Sequence, residues 1–325
     1  MRFYDIFNGD ADGLCALHQL RLAEPRSATL ITGVKRDIAL LARVPAEAGD
    51  ELTVLDVSLD TNRNALLSAL QAGARVRYFD HHFAGAIPHH RLLTAHIDPS
   101  PAVCTSLIVD RHLGGRYRAW SVVAAFGDNL RTQAYAGAAA LGLGAAEIEM
   151  LRELGESLNY NAYGDSLADL HFHPAELYRR MQPYADPLVF CAQAAEFDIL
   201  RRASAGDLRQ AQALPVEYRG DKVVVVCMPD AAWSRRIVGT FANELVQRHA
   251  ERTVAVLVRN GAGYQVSLRA PENGKATMHL LAQQFATGNG RARAAGIQFL
   301  PESERSRLMA LLDQTTADGM PSEAP

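Results

Sequence analysis

Between residues 3 and 79, short apolar runs alternate with helical stretches, and this alternation constrains the fold more than any other feature of the chain. Residues 3–7, 28–32, 52–56 and 75–79 read as strands, and residues 13–24, 36–42 and 61–72 as the helices between them. Such a series predicts an α/β domain with a mostly parallel sheet flanked by helices. Ligands of such sheets gather at the carboxyl ends of the strands. Three of the four strands run into carboxylates there: Asp10 and Asp12 after the first, Asp56 at the end of the third, Asp80 after the fourth. The acids are therefore expected to converge on one edge.

Residues 119–212 read as mostly helical, with Ala- and Leu-rich periodicity over 134–158 and 188–200. A smaller α/β pattern follows. Residues 223–227 and 253–259 read as strands around a helix at 232–249, and Asn260-Gly261-Ala262-Gly263 as a hairpin turn into a strand at 264–269. A helix over 278–285 leads to a glycine-rich loop. A length of 325 residues suits two domains, expected at 1–205 and 214–313 with the boundary in the polar stretch 203–214 and a flexible tail over 314–325.

The charge balance, 33 basic against 36 acidic residues for a net charge of −3, argues against a broad basic face coating long nucleic acid. No apolar run approaches the roughly 18–20 residues of a membrane span, and Met1-Arg2 leads straight into a strand-like segment, so a cytoplasmic protein without a membrane partner is expected. Cys15, Cys104, Cys191 and Cys227 form no CxxC pair, which argues against a zinc knuckle or a disulfide framework.

Four segments carry chemistry. In Asn8-Gly9-Asp10-Ala11-Asp12-Gly13, two aspartates on a strand-to-helix turn can project toward one point; an acidic helix cap is the plain alternative. Asp56 ends an apolar strand. Asp80-His81-His82 joins hard oxygen to borderline nitrogen ligands, a mixture suited to manganese, iron or zinc. Asp128 stands in Phe126-Gly127-Asp128-Asn129, where a solvated acid would also be unremarkable.

In order and approximate spacing, these four segments resemble the motifs of the DHH phosphoesterase superfamily, with Asp98-Pro99 and Cys104-Thr105 similar to the segment that follows Asp-His-His. The resemblance covers nearly the whole chain and implies a DHH catalytic domain followed by a DHH-associated substrate-binding domain. It implies two divalent ions, manganese before magnesium, around a bridging water. Asp56 would be the shared ligand, Asp10 with Asn8 would hold one ion, and Asp12, His81 and Asp128 the other. Asp80 would fix an imidazole tautomer, leaving His82 for the phosphate or a proton. In the second domain, Ser267, Arg269 and the loop Gly288-Asn289-Gly290-Arg291 would contact substrate, with Arg293 and Gly296 beside them. Lys35, Lys222 and Lys275 are the only lysines, so a solvated surface is the alternative for these arginines.

Two departures stand out. Ile6 occupies the position where many relatives carry a metal-binding His, and Arg291 replaces the His of the glycine loop. An Arg fork binds phosphate but does not donate a proton near neutral pH. Lys35 and Arg36 read equally well as phosphate contacts or as solvated residues. His171-Phe172-His173 reads as a surface turn, and Trp120 and Trp233 as packing residues.

The expected activity is hydrolysis of short oligoribonucleotides or linear dinucleotides such as pGpG to 5′-mononucleotides. The chain resembles most the proteobacterial members that process diribonucleotides, and it holds only the two core domains. The alternatives are a RecJ-like single-strand DNA exonuclease and a catalytically lapsed nucleotide-binding protein. No stable long nucleic-acid partner is expected, and a homodimer is the default assembly.

Overall fold

Five parallel strands, β1 (Phe3–Phe7), β2 (Thr29–Ile31), β3 (Glu51–Leu55), β4 (Arg75–Asp80) and β5 (Leu93–Ile97), pair in the order β2-β1-β3-β4-β5. The computed structural model describes residues 1–271 and 277–317. It divides into two units, Met1–Ala203 and Ser204–Pro325. The α/β expectation holds, since the first unit builds the parallel, helix-flanked sheet and the second, shorter unit a six-stranded mixed sheet.

The central strands are apolar because helices cover them. Ile6, Leu52, Val54, Val76 and Tyr78 belong to one buried cluster that also takes in Leu59, Leu66 and Leu70 of α2 (Leu59–Gln71). β5 escapes the strand pattern because it is a partly buried edge strand whose apolar residues are interrupted by Thr94 and His96. The helix expected over 36–42 is replaced by a coil with one 3-10 turn at Leu40–Arg43. Tertiary hydrogen bonds hold that coil: Asn62 accepts from the Leu41 N–H (3.1 Å) and donates to the Ile38 carbonyl (2.7 Å).

Helix α1 (Ala11–Ala23) is buried from Ala11 through Arg21 because it is surrounded. It contacts α3 (Thr105–His112), α4 (Arg118–Gly127), α6 (Ala145–Ala162) and α7 (Pro174–Met181). Its buried polar residues have partners, as when His18 Nε2 meets the Tyr184 carbonyl at 2.8 Å. Burial pushes the His18 pKa down to about 4, so this ring is neutral. The close approach of α4 to α6 requires Gly155, where a Cβ would stand 2.2 Å from the Val123 carbonyl oxygen. That approach lets Asn159 donate to the Gly127 carbonyl and accept from the Ala11 N–H at 3.0 Å, joining three helix ends below the sheet edge.

The helices α5 (Arg131–Ala140), α8 (Pro187–Gln193) and α9 (Ala195–Gln212) complete the helical region. The units divide between Ala203 and Ser204, at the start of the polar stretch 203–214 where the boundary is expected, and α9 continues through that stretch as far as Gln212. Its polarity marks an exposed helix face rather than a linker.

In the second unit, β6 (Tyr218–Arg219), β7 (Val223–Met228), β8 (Thr253–Asn260), β9 (Gly263–Arg269), β10 (Gly288–Gly290) and β11 (Ala294–Pro301) pair in the order β10-β11-β9-β8-β7-β6. Helices α10 (Ala232–Arg248), α11 (Met278–Ala282) and α12 (Arg305–Ala317) accompany them. β7 and β8 are parallel and the other pairings antiparallel. Asn260 pairs with Gly263, so Gly261-Ala262 forms the two-residue turn, with Gly261 at φ +55°. The tail expected from residue 314 is helical as far as Ala317; residues 318–325 lie outside the described residues. No described helix is long and apolar enough to cross a membrane.

Candidate metal centre

The strands that end in acids are neighbours. β1, β3 and β4 lie side by side, and the chain leaves β1 toward β2 on one side and resumes at β3 on the other. This switch point opens a crevice at the carboxyl ends of the strands. Asp10 caps α1 there, its Oδ1 accepting from the Asp12 and Gly13 N–H groups at 3.1 Å each. Asp56 follows β3 at φ +58°, a left-handed geometry that Asp adopts more readily than most residues. Asp80 is the last residue of β4 and fully buried. Asp128 is the C-terminal cap of α4.

Helix α3 aims its N-terminus at this group. The Thr105 and Ser106 N–H groups donate to the two oxygens of Asp12, each at 2.7 Å, where the helix dipole favours negative charge. The Thr105 hydroxyl donates to Asp56 Oδ1 at 3.1 Å. His81 Nε2 stands 3.5 Å from Asp56 Oδ1 and 3.9 Å from Asp128 Oδ2. His82 Nδ1 lies 2.6 Å from Asp80 Oδ1, which orients the ring and leaves Nε2 as its other nitrogen.

Two sets of ligand atoms, from Asp56, His81 and His82 and from Asp12, His81 and Asp128, lie within 4.8 Å of one another. Ligands about 2.1 Å from one ion are separated by about 3–4.2 Å, so modest closure completes coordination. Carboxylate and imidazole donors suit a divalent transition ion or magnesium. The residues present fit such an ion at His81.

Electrostatics points the same way. Burial, then Asp12, Asp10, Asp128 and Asp80, drive the Asp56 carboxyl well above its usual range. Burial and Asp12 push Asp128 up to about 7, with Lys35 opposing. Burial opposes charge on Asp10 as well, but Lys35 outweighs it and holds this carboxyl below the ordinary value. For His82, burial works against the proton and Asp80 outweighs it, so its pKa is raised. An incoming cation must displace protons from Asp56 and Asp128, so manganese affinity should fall by at least about tenfold per pH unit below about pH 7. Calorimetric titration from about pH 5.5 to 8 checks this, and a flat profile would contradict it.

Lys35 was equally readable as a phosphate contact or a solvated residue, and the fold puts its Nζ at 2.5 Å from Asp10 Oδ2 and 3.6 Å from Asp128 Oδ1. Arg36 pairs instead with Asp165. Asn8 uses its side chain on the backbone, accepting from the Asp10 N–H (3.3 Å) and donating to the Lys35 carbonyl (3.2 Å). Ile6 is fully buried in the apolar cluster under the sheet.

In the second unit, Arg269 donates to Asn243 Oδ1 (2.6 Å), Ser267 Oγ (3.0 Å) and the Leu268 carbonyl (2.9 Å). The expected glycine-rich loop is a correction: Gly288-Asn289-Gly290 is strand β10, paired with β11, and Arg291 opens the turn between them. Packing accounts for both glycines, since a Cβ at Gly288 would meet the Ala282 carbonyl oxygen at 1.7 Å and one at Gly290 the Ala295 Cα at 2.3 Å. Arg293 donates to the Pro271 carbonyl at 2.7 Å. His173 caps α7 and His171 meets the Tyr160 hydroxyl, and neither joins the candidate ligand sets. Trp120 is buried and donates to the Ala185 carbonyl.

Sequence reasoning missed Asn159, which ties α6 to the starts of the Asp10 and Asp128 segments, because nothing local distinguishes it from other helical asparagines. Thr105 was visible only as part of a similar segment; its hydroxyl contact with Asp56 is tertiary.

Carboxylates and imidazoles thus gather at the switch point of a parallel sheet, a donor set suited to a divalent ion. Residues 220–318 match the DHHA1 domain family. The fold matches a manganese-bound exonuclease RecJ with a TM-score of 0.57 at 18% identity, covering 98% of this chain and 91% of that one. It also matches manganese-bound RecJ from Thermus thermophilus (TM-score 0.55, 17% identity), covering 97% of this chain but 52% of that longer one. The pGpG-specific phosphodiesterase PggH from Vibrio cholerae matches with a TM-score of 0.54 at 14% identity, over 98% of this chain and 100% of that one. Comparison with curated proteins gives no match. Residues 220–318 therefore carry a DHHA1 domain, and the chain shares its fold with these RecJ and PggH structures.

Proposed function

We propose that the protein is a divalent-metal-dependent phosphodiesterase that hydrolyses short oligoribonucleotides or linear dinucleotides such as pGpG to 5′-mononucleotides. The observation that carries this reading is the gathering of Asp12, Asp56, Asp128, His81 and His82 at one edge of the sheet. A bound divalent ion supplies Lewis acidity, lowering the pKa of a water and neutralising charge on the phosphoryl oxygens. Asp12 is held in place by the α3 N-terminus and Asp56 by the Thr105 hydroxyl, so the ligands are preorganised. His82, oriented and kept protonatable by Asp80, donates a proton to the departing 3′ oxygen. In the second unit, Arg269, with Ser267, and Arg291 of the β10–β11 turn bind substrate phosphate.

A short substrate is supported by the fold match to PggH, a pGpG-specific phosphodiesterase, at a TM-score of 0.54. The RecJ-like exonuclease reading keeps support from the fold match at TM-score 0.57. A panel of 5′-phosphorylated diribonucleotides, longer RNA and long single-stranded DNA with manganese separates the two. Conversion of the dinucleotides to mononucleotides at least about tenfold faster than release from long DNA is the expected result. Preferential degradation of long DNA overturns it, and manganese binding without turnover of any phosphoester favours a lapsed nucleotide-binding protein.

A further inference from the structure

We propose that Lys35 takes the place of one of the two divalent ions, so that this site holds a single ion, seated at His81 among Asp12, Asp56 and Asp128. The inference rests on the metal-dependent reading above and departs from the two-ion arrangement that the motif order implies.

The ligand inventory provides for one ion. Among the described residues, both candidate ligand sets contain His81, so they are alternative descriptions of one imidazole-anchored place rather than two independent sites. Asp10, the carboxylate that would anchor a second ion, is in neither set. Its Oδ1 caps α1 through two N–H groups, and its Oδ2 faces the Lys35 ammonium. The two remaining contributors to a second ion are unsuited to it: Ile6 is apolar and buried, and Asn8 is bonded to backbone on both sides of its amide.

The backbone of Lys35 is tied to the elements around the site. Its N–H donates to the Ala162 carbonyl at 2.9 Å and its carbonyl accepts from Asn8 Nδ2 at 3.2 Å. The Nζ lies 5.8 Å from the centre of the Tyr163 ring, within cation–π range. From there it reaches Asp10, the carboxylate that would anchor the second ion, and also Asp128. A divalent ion at the same oxygens would be repelled by the ammonium at short range in a poorly solvated crevice. The ammonium supplies positive charge and N–H donors to a phosphoryl oxygen, but it cannot activate water as a metal does. An ion held at His81 would therefore supply the activation of water.

Counting manganese bound to the full chain, by equilibrium dialysis with elemental analysis and by electron paramagnetic resonance, tests this. The expected result is one ion per chain with a six-line spectrum free of exchange coupling. Lys35→Ala, and Lys35→Gln as a variant that keeps a polar side chain, should raise the count to two and introduce an exchange-coupled signal. Asp10→Asn should leave the count at one, because Asp10 is committed to Lys35. Two ions in the wild-type protein overturn the proposal while leaving the metal-dependent function standing, and so does one ion in both the wild type and a folded Lys35 variant. No bound manganese in the wild type overturns the metal-dependent reading itself.

Discussion

Asp56→Asn should abolish phosphodiester hydrolysis and yet raise the melting temperature of the metal-free protein. Asp56 is fully buried, faces four other carboxylates, and has its carboxyl driven well above the ordinary range by burial first and by Asp12 and its neighbours next. A carboxyl whose pKa rises on folding must take up a proton as the chain folds, so its contribution to stability deteriorates as pH rises above the unfolded value of about 4. Asparagine removes that requirement. It also tolerates the left-handed backbone at φ +58° and keeps a carbonyl oxygen for the Thr105 hydroxyl. At about pH 8 in chelator the variant should melt above the wild type, with the gain shrinking toward zero near about pH 4. With manganese present, loss of the anionic ligand should lower kcat/KM by about 10³-fold. Thermal melts at the two pH values, paired with dinucleotide hydrolysis, check both halves; a variant less stable at high pH, or one that remains fully active, would contradict this account.

Arg21→Met should strongly destabilise the first unit while leaving the metal ligands intact. Arg21 lies on α1 and Asp5 on β1, with side chains 4% and 2% exposed. The guanidinium meets both Asp5 oxygens and donates to the Thr53 hydroxyl at 3.1 Å. Burial works against the charge on Arg21, and the Asp5 bonds outweigh it. Removing the cation strands a buried carboxylate against the sheet, a change that costs about 3–5 kcal/mol. Replacing both partners, as in Asp5→Asn with Arg21→Met, should recover a substantial part of the loss, because the unpaired charge goes with its partner. Urea unfolding of the two single variants and the double variant measures the coupling. Losses that simply add would show that the pair does not act as a unit.

Much of the fold is legible along the chain, for reasons visible in particular segments. β1, β3 and β4 are rich in buried apolar and aromatic residues because helices cover the sheet, so short-range composition reports them correctly. β5 is not legible, since an edge strand with partly buried faces mixes Thr94 and His96 into its apolar pattern. The coil at 36–42 mimics a helix locally and is held open by Asn62, which lies on another element. The glycines at 288 and 290 resemble an anion-binding loop in sequence, whereas contact with Ala282 and Ala295 is what excludes a side chain there.

The sequence by itself determined which residue types stand at the ends of the strands: Asp10 and Asp12, Asp56, Asp80-His81-His82. That much is local, because a strand of known length delivers the residue after it to a known edge. Only the tertiary structure decided which of those ends are neighbours, through the β1-β3-β4 adjacency, and which partner each acid meets. Asp12 and Asp56 meet α3, Asp80 meets His82, and Asp10 meets Lys35. Charge and coordination depend on distances of a few ångströms between residues far apart in the chain, and chain-local pattern carries no record of those distances.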